Sequence, residues 1–173
     1  MPSDDKDRKF FGFHRNILFL GLVSLFTDLS SEMIYPLLPV FLTSVLGVGI
    51  TFVGLVEGMA EATASFLKLF SGWISDRRQK KKSLVVAGYT LSTLTRPLVA
   101  IAAAGWHVLL IRLLDRVGKG VRTSPRDALI ADSVPSSEYG KAFGFQRALD
   151  HAGAVIGPLI AFLLLTFLTQ NYR

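Results

Sequence analysis

Long apolar stretches separated by short polar connections dominate this chain. Five of them are long enough to cross, as helices, a hydrocarbon core about 30 Å thick, which requires about 20 mostly apolar residues. The short alternating segments expected of a membrane β-barrel are not the pattern of this sequence. The pattern therefore predicts an all-α fold, a multi-pass transmembrane helix bundle. The predicted helices cover residues 16–46, 50–74, 83–104, 106–130 and 141–168.

The segments that flank the apolar stretches are short and polar. Residues 1–15 are predicted to form an N-terminal segment in the cytoplasm, and residues 169–173 a tail on the outer side. The first apolar stretch is too long for a cleaved signal peptide and is interpreted as a retained helix. Pro36 and Pro39 lie within it, so we expect a bend there, because proline removes a helical hydrogen-bond donor.

Composition supports a membrane protein and argues against several other classes. Half of the 173 residues are hydrophobic and none is cysteine, so neither a disulfide framework nor a thiolate metal site is expected. The net charge of +6 would suit nucleic acid, but the cations lie between apolar spans, so no nucleic-acid partner is expected. The three histidines are far apart, and no nucleophile–base pair or phosphate loop is present. We expect no metal, no cofactor and no enzymatic activity.

Lysine and arginine are concentrated on one side of the predicted spans. The loops at residues 47–49 and 105 carry none, and only Arg173 is expected on that side. The positive-inside rule therefore places the N-terminus in the cytoplasm and the chain in the inner or plasma membrane. The cations on the cytoplasmic side are Lys6, Arg8, Lys9, Arg15, Arg77, Arg78, Lys80, Lys81, Lys82, Arg122, Arg126 and Lys141.

Four predicted helices each carry an ionisable residue near mid-membrane. Asp28, Glu61, Arg116 and Asp150 lie about 14 to 18 Å along their helices from a predicted end, at about 1.5 Å per residue. Charges at this depth are costly in lipid and usually face a bundle interior or an aqueous cavity. Because transporter sites commonly lie near the midplane, the sequence indicates a shared internal site.

The first helix supplies the candidates we favour for binding a proton or a cation. Asp28 and Glu32 are four residues apart and share a face, and no cation follows Arg15 in this helix. A desolvated carboxylate can exchange protons near neutral pH, and it also suits a cationic substrate; the sequence does not separate the two. The full candidate set is Asp28, Glu32, Tyr35, Glu61, Arg112, Arg116, Asp150 and His151. For the charged members, buried ion pairs that only hold the bundle together are the structural alternative.

The strongest motif lies where the second helix leaves the membrane. Gly72, Asp76, Arg77, Lys80 and Lys81 fall in a run that resembles the signature loop of the major facilitator superfamily, in which glycine and aspartate precede clustered cations. Gln79 stands where that signature has its second glycine. The resemblance implies a role in gating, while the cations also suit lipid headgroups and cytoplasmic orientation.

Two further motifs support the same resemblance. Gly144, Gly153, Gly157 and Pro158 resemble the glycine–proline signature of major facilitator antiporters, although its closing glycine pair is absent. Small residues at this spacing also form ordinary helix-packing faces. Arg116 and the residues after it resemble the helix-four pattern whose arginine is linked to proton transfer in that family, with Arg112 as a competing candidate.

These resemblances imply the N-terminal part of a secondary transporter, corresponding to most of one six-helix half, with a sixth helix missing. Proton-coupled export of a small molecule is the expected activity, with the lipid bilayer, protons and a missing C-terminal half or a dimer partner as partners. The alternative is a truncated or accessory half-domain whose charges are structural and which works only as a dimer. A channel is less favoured, because the outer loops carry no ring of charges. Substrate, coupling ion and the choice between antiport, symport and uniport stay open.

Overall fold

The computed structural model describes residues 9–10, 13–78 and 80–167. The described part consists of helices apart from two two-residue strands, Lys9–Phe10 and Phe13–His14, which pair antiparallel ahead of the first helix. The predicted all-α bundle is therefore confirmed. Its long helices are α1 (Arg15–Ile34), α2 (Ile50–Arg78), α3 (Lys81–Thr95), α4 (Gly105–Asp132) and α5 (Tyr139–Phe167).

The first apolar span changes helix type after α1. A 3₁₀ turn at Tyr35–Leu37 and a short α turn lead into a π turn at Phe41–Val45. Pro36 and Pro39 explain the change, because each lacks the N–H that a regular α-helix needs at that position. The irregular stretch begins just beyond the two acids predicted for the site.

The helix ends differ from the predicted bounds by a few residues. The second helix runs to Arg78 rather than to residue 74, and α3 already begins at Lys81. Cations expected in a loop therefore lie on the ends of two helices. The third helix gives way at Thr95 to a 3₁₀ stretch, Arg96–Ile101, which has a proline in its first turn.

Four helical stretches in the described part are long and apolar enough to cross a membrane. They comprise α1 with its continuation, α2, α3 with its 3₁₀ extension, and α5 with the turn before it. Helix α4 has 28 residues, enough for a crossing, but its many ionisable side chains keep it outside this apolar group. The stretches are Arg15–Val45, Ile50–Arg77, Lys81–Ile101 and Ser136–Phe167.

The bundle is organised around two sets of close helix contacts. Helix α1 packs against α5, and α4 packs against both α2 and α3. A Cβ placed on Gly88 of α3 would lie 2.6 Å from the carbonyl oxygen of Gly118 in α4. A Cβ on Gly120 would lie 2.8 Å from the carbonyl oxygen of Ala64 in α2. Glycine is needed at both crossings because the backbones approach too closely for a side chain.

Apolar clusters lie toward both ends of α4, with buried charges between them. One cluster includes Phe41, Val108 and Ile111, and the other includes Ile17 and Ile130. The buried acidic and basic side chains of the described part lie along α4 and at the start of the 3₁₀ stretch that follows α3. They are Arg96, Arg112, Asp115, Arg116, Arg122 and Arg126.

Candidate functional site

A cavity of about 380 Å³ lies between α1, α2, α4 and α5. No described residue of α3 lines it. Its walls are charged to an extent that is unusual for a membrane-embedded space, where each ionisable group is costly and usually serves a function. The ionisable lining residues are Asp28, Glu32, Glu61, Lys68, Lys119, Arg122, Arg126, Arg147, Asp150 and His151.

Five of the residues singled out in the sequence meet at this cavity. Asp28 and Glu32 come from α1, Glu61 from α2, and Asp150 and His151 from α5. Asp28 and Glu32 are four residues apart and therefore share one face of α1. Asp150 and His151 are adjacent and point in different directions from α5, but both border the cavity.

The position of the two α1 acids depends on two glycines of α5. A Cβ on Gly153 would lie 3.2 Å from the Cβ of Asp28, and one on Gly157 would lie 2.9 Å from the Cβ of Glu32. These glycines therefore bring α5 directly against the acidic stretch of α1. Gly144, also predicted in this packing face, is exposed, and no described atom lies within 4 Å of a Cβ placed there. It lies outside the α1–α5 contact.

The Asp28 and Glu32 carboxylates stand out within the described part of the chain because no side chain there donates to them or lies within ion-pairing distance. Asp150 differs: its carboxylate accepts from Arg126 Nη1 at 3.3 Å and from Gln146 Nε2 at 3.1 Å. Unpaired acids in a membrane-embedded cavity favour uptake of a proton or of a cationic group.

Two arginines of α4 are anchored on the cavity wall by neutral groups as well as charges. Arg126 Nη1 donates to Ser24 Oγ at 2.8 Å. Arg122 Nη1 donates to Ser92 Oγ at 2.7 Å, and its guanidinium lies 4.6 Å from the ring centroid of Tyr89. These contacts fix the two cations in place, so the wall that they form is preorganised.

Tyr35 lies in a buried network beside the cavity and does not line it. Its hydroxyl donates to the Asp115 carboxylate, which also accepts from Arg96 Nε at 3.1 Å. The guanidinium carbons of Arg112 and Arg116 lie 3.7 and 4.9 Å from the centroid of the Tyr35 ring. Three candidates, Tyr35, Arg112 and Arg116, are therefore placed in an ion-pair network instead of on the cavity wall.

Helix α2 neutralises the arginines of this network. Arg112 donates to the Glu57 carboxylate through Nε, at 3.1 Å, and through Nη2. Arg116 Nη1 lies 3.8 Å from Glu61 Oε2. Because the Glu61 side chain is 67% exposed and lines the cavity, the Arg116–Glu61 pair is where the buried network meets the cavity.

The loop motif lies at the opposite end of α2. A Cβ on Gly72 would lie 3.3 Å from Ser124 Oγ of α4, so this glycine allows the two helices to approach closely. Asp76 is exposed at the helix end. The Arg77 guanidinium lies 5.2 Å from the ring centroid of Trp73, which holds that cation along the outside of α2.

The cations after this motif reach a neighbouring helix. Lys81 Nζ lies 2.6 Å from Asp132 Oδ2, joining the start of α3 to the end of α4. Lys80 is exposed. Pro158 lies inside α5, which stays helical to Phe167.

Lys68 is a cavity residue that the sequence reasoning missed. It follows Glu61 by seven residues, two helical turns, and therefore lies on the same face of α2. That spacing was the available signal. Arg147 of α5 also lines the cavity and is exposed there.

A comparison with protein families shows to which family this chain belongs. The sequence model of the Major Facilitator Superfamily matches residues 20–172. The chain belongs to the Major Facilitator Superfamily. It is therefore an integral membrane protein of a transporter family, in agreement with its four apolar spans.

Individual curated proteins resemble most or nearly all of the chain. An uncharacterized MFS-type transporter of Methanocaldococcus jannaschii is 38% identical over 99% of this chain and 42% of its own length. An uncharacterized protein of Mycobacterium tuberculosis is 37% identical over 84% of this chain and 35% of its own. The multidrug resistance protein MdtH of Photorhabdus laumondii is 31% identical over 86% and 37%.

The chain spans about two fifths of the length of these curated relatives. The cavity found here is therefore bordered by one part of a Major Facilitator Superfamily fold. Its exposed lining residues, such as Glu61, Lys68 and His151, face the side that the four helices leave open.

Proposed function

We propose that the whole protein is a proton-coupled secondary transporter that exports a small molecule, and that this chain forms most of its N-terminal half. The observation that carries the proposal is the pair of unpaired carboxylates, Asp28 and Glu32, in a cavity bordered by four helices. In a two-half transporter such a cavity faces the second half, and the site lies between them.

Asp28 and Glu32 are the proposed proton-binding residues. A carboxylate without a direct cationic partner in the protein can bind either a proton or a cationic group, and access to water on either side allows the proton to exchange. A cationic group of a substrate competes for the same oxygens. That competition couples export of the substrate to entry of the proton.

The remaining candidates would act around this pair. Asp150 pairs with the cavity cation Arg126, and Glu61 pairs with Arg116 of the buried network. These two acids would therefore tune the electrostatic field around the proton site and would not bind the proton themselves. His151 lies beside Asp150 on the exposed side and would take part in proton exchange with water.

The loop motif would act in gating and orientation. Its exposed Asp76 and its cations at the ends of α2 and α3 suit a cytoplasmic surface that meets another helix end or lipid headgroups. We also propose that the N-terminus is cytoplasmic, since the basic residues cluster on that side of the spans.

Export is favoured over uptake by one of the relatives. The name of the MdtH relative refers to multidrug resistance, and proteins that confer resistance commonly do so by removing compounds from the cell. The small-residue contact of α5 at Gly153 and Gly157 fits the same proposal, because it lies directly behind the two acids.

The test is pH-gradient-driven flux by the full-length protein in everted membrane vesicles, with an exported compound selected by survival screening of cells that produce it. Asp28→Asn is expected to lower the gradient-driven flux at least about a hundredfold, because an amide cannot carry the proton, while membrane abundance stays the same. Glu138→Gln, a change outside the cavity lining, is the matched control and is expected to keep full flux. Unchanged gradient-driven flux in Asp28→Asn would remove the assignment.

A further inference from the structure

The cavity has an acidic wall and a basic wall that face each other without a direct ion pair between their described residues. Helix α1 contributes only Asp28 and Glu32, while α4 contributes the cations Lys119, Arg122 and Arg126. Helices α1 and α4 have few close contacts, since α1 packs mainly against α5 and α4 against α2 and α3. Where the basic wall does reach α1, Arg126 donates to the neutral Ser24 Oγ and not to an α1 carboxylate.

Some of the charges that line the cavity are matched by the protein. Arg126 pairs with Asp150 and Asp127, and Glu61 pairs with Arg116. Within the described residues, no carboxylate lies within ion-pairing distance of Lys119, and no cation lies within that distance of Asp28. The cavity thus contains charges of both signs that have no direct ion-pair partner. The acids are on α1, and the cations are Lys119 on α4, Lys68 on α2 and Arg147 on α5.

We infer that the transported compound is amphoteric, with an amine that binds Asp28 and Glu32 and an anionic group that binds Lys119 on the opposite wall. This inference rests on the proposed function and specifies the substrate class of that same site. The volume of about 380 Å³ lies within the range of small-molecule pockets. The anionic group is a carboxylate or a phosphate, since both accept from an ammonium group.

An ion of a single sign fits this cavity less well. An organic cation would satisfy the acidic wall and leave Lys119 unpaired and partly desolvated, which is costly. An organic anion would satisfy Lys119, add one more negative charge to the cavity, and leave Asp28 and Glu32 without a cationic partner. A compound with both groups satisfies both walls, and its amine still competes with the proton for the α1 acids, as exchange requires.

The experiment uses the full-length protein in proteoliposomes with an imposed pH gradient and mass-spectrometric measurement of uptake. Each probe is an aromatic or aliphatic amino-acid scaffold offered in three forms. These are the free amphoteric compound, its methyl ester, which keeps only the amine, and its N-acetyl derivative, which keeps only the carboxylate. We expect both single-charge forms to move about tenfold more slowly than the parent, or slower, because each leaves one wall unpaired.

Lys119→Gln tests the basic wall directly. We expect it to slow uptake of the amphoteric form about tenfold and to make the methyl ester the preferred form, because the anionic group no longer has a partner. Lys119→Arg is expected to retain the preference for the amphoteric form, which distinguishes loss of charge from loss of folding. Lys141→Gln removes a lysine outside the cavity lining and is the matched control.

Two results would contradict different proposals. Gradient-driven uptake of a single-charge form as fast as that of its amphoteric parent would overturn the inferred substrate class and leave proton coupling intact. The second result is transport of the amphoteric form that stays preferred, and stays equally fast, after the pH gradient is collapsed. That result would overturn proton coupling and leave the substrate class intact.

Discussion

At the scale of single residues, Tyr35 connects several parts of the bundle. It lies where α1 loses its regular form, and its side chain contacts Asp115, Arg112 and Arg116 of α4. Its ring lies within cation–π distance of both guanidinium groups. The hydroxyl and the ring therefore make separate contributions that can be measured one at a time.

Removing the hydroxyl and removing the ring should lower stability in two steps. Tyr35→Phe loses a hydrogen bond to a carboxylate, a loss of about 1.5 to 3 kcal/mol. Tyr35→Leu also loses the cation–π contacts, about 0.5 to 2 kcal/mol more. We expect the melting temperature of the full-length protein in detergent to fall in that order. Tyr139→Phe, at an exposed tyrosine, is the control; an equal fall in that variant would contradict the role assigned to the Tyr35 network.

Which charged residues meet was only partly predictable from the sequence. Helical spacing placed Asp28, Glu61, Arg116 and Asp150 at one level, because each lies near the centre of its predicted span. All of these except Arg116 line the cavity. The same spacing could not tell that Tyr35 turns toward Asp115, since that depends on how α1 is rotated against α4 and on the irregular turn that begins at Tyr35 itself. Rotation between helices is set by tertiary packing, which a single helix pattern does not contain.

At the scale of helices, the α1–α5 contact is the one on which the proposed site depends most directly. A Cβ on Gly157 would lie 2.8 Å from the carbonyl oxygen of Leu29 and 2.9 Å from the Cβ of Glu32. Neither neighbour is the flexible end of a side chain, so one of the helices must move to make room. Any such movement also displaces Glu32.

Gly157→Ala is therefore expected to lower the stability of the full-length protein by about 1 to 3 kcal/mol through overpacking. The shift in melting temperature in detergent measures the effect. Gly144→Ala is the matched control on the same helix, because a Cβ there meets open space, and alanine favours helix by up to about 1 kcal/mol over glycine. A stable Gly157→Ala protein would mean that α1 and α5 separate without cost.

The sequence signalled this contact but not its extent. Gly153 and Gly157 have the four-residue spacing of a packing face, whereas Gly144 was included through the family signature alone. Gly144 lies near the start of α5, at a point where the structure places no neighbour within 4 Å. The four-residue glycine spacing identified the α1–α5 contact. Where that contact ends along α5 is determined by the relative tilt of the two helices.

At the scale of the whole molecule, the predicted orientation has a direct test. The chain contains no cysteine, so single cysteines introduced into it report accessibility without background from this part of the protein. In intact cells producing the full-length protein, with any other cysteines replaced, Gly49→Cys should react with a membrane-impermeant maleimide. Ser137→Cys should react only after permeabilisation, because its loop is expected on the cytoplasmic side. The reverse labelling pattern would invert the assigned topology.

The helical fold was predictable at this scale because apolar length alone is a strong signal in a membrane. Helix α4 was the weakest case, since charged residues interrupt its apolar positions. Those charges are tolerated because Glu57 and Glu61 of α2 lie against Arg112 and Arg116, information that lies more than fifty residues away in the chain. The low hydropathy of α4 is therefore explained only by its ion pairs with another helix, which the α4 sequence alone does not reveal.

The charge content of α4 also bears on how the protein is made. An arginine near the centre of a lone helix opposes insertion by about 2.5 to 3.5 kcal/mol, and α4 carries several. Synthesis proceeds from the N-terminus, so α2 and α3, which contain Glu57, Glu61 and the Gly88 contact surface, reach the membrane first. When α4 emerges, acceptors for its arginines are already present. The order of the helices along the chain thus serves as an assembly sequence, in which the least lipid-soluble helix arrives after the surfaces that receive it.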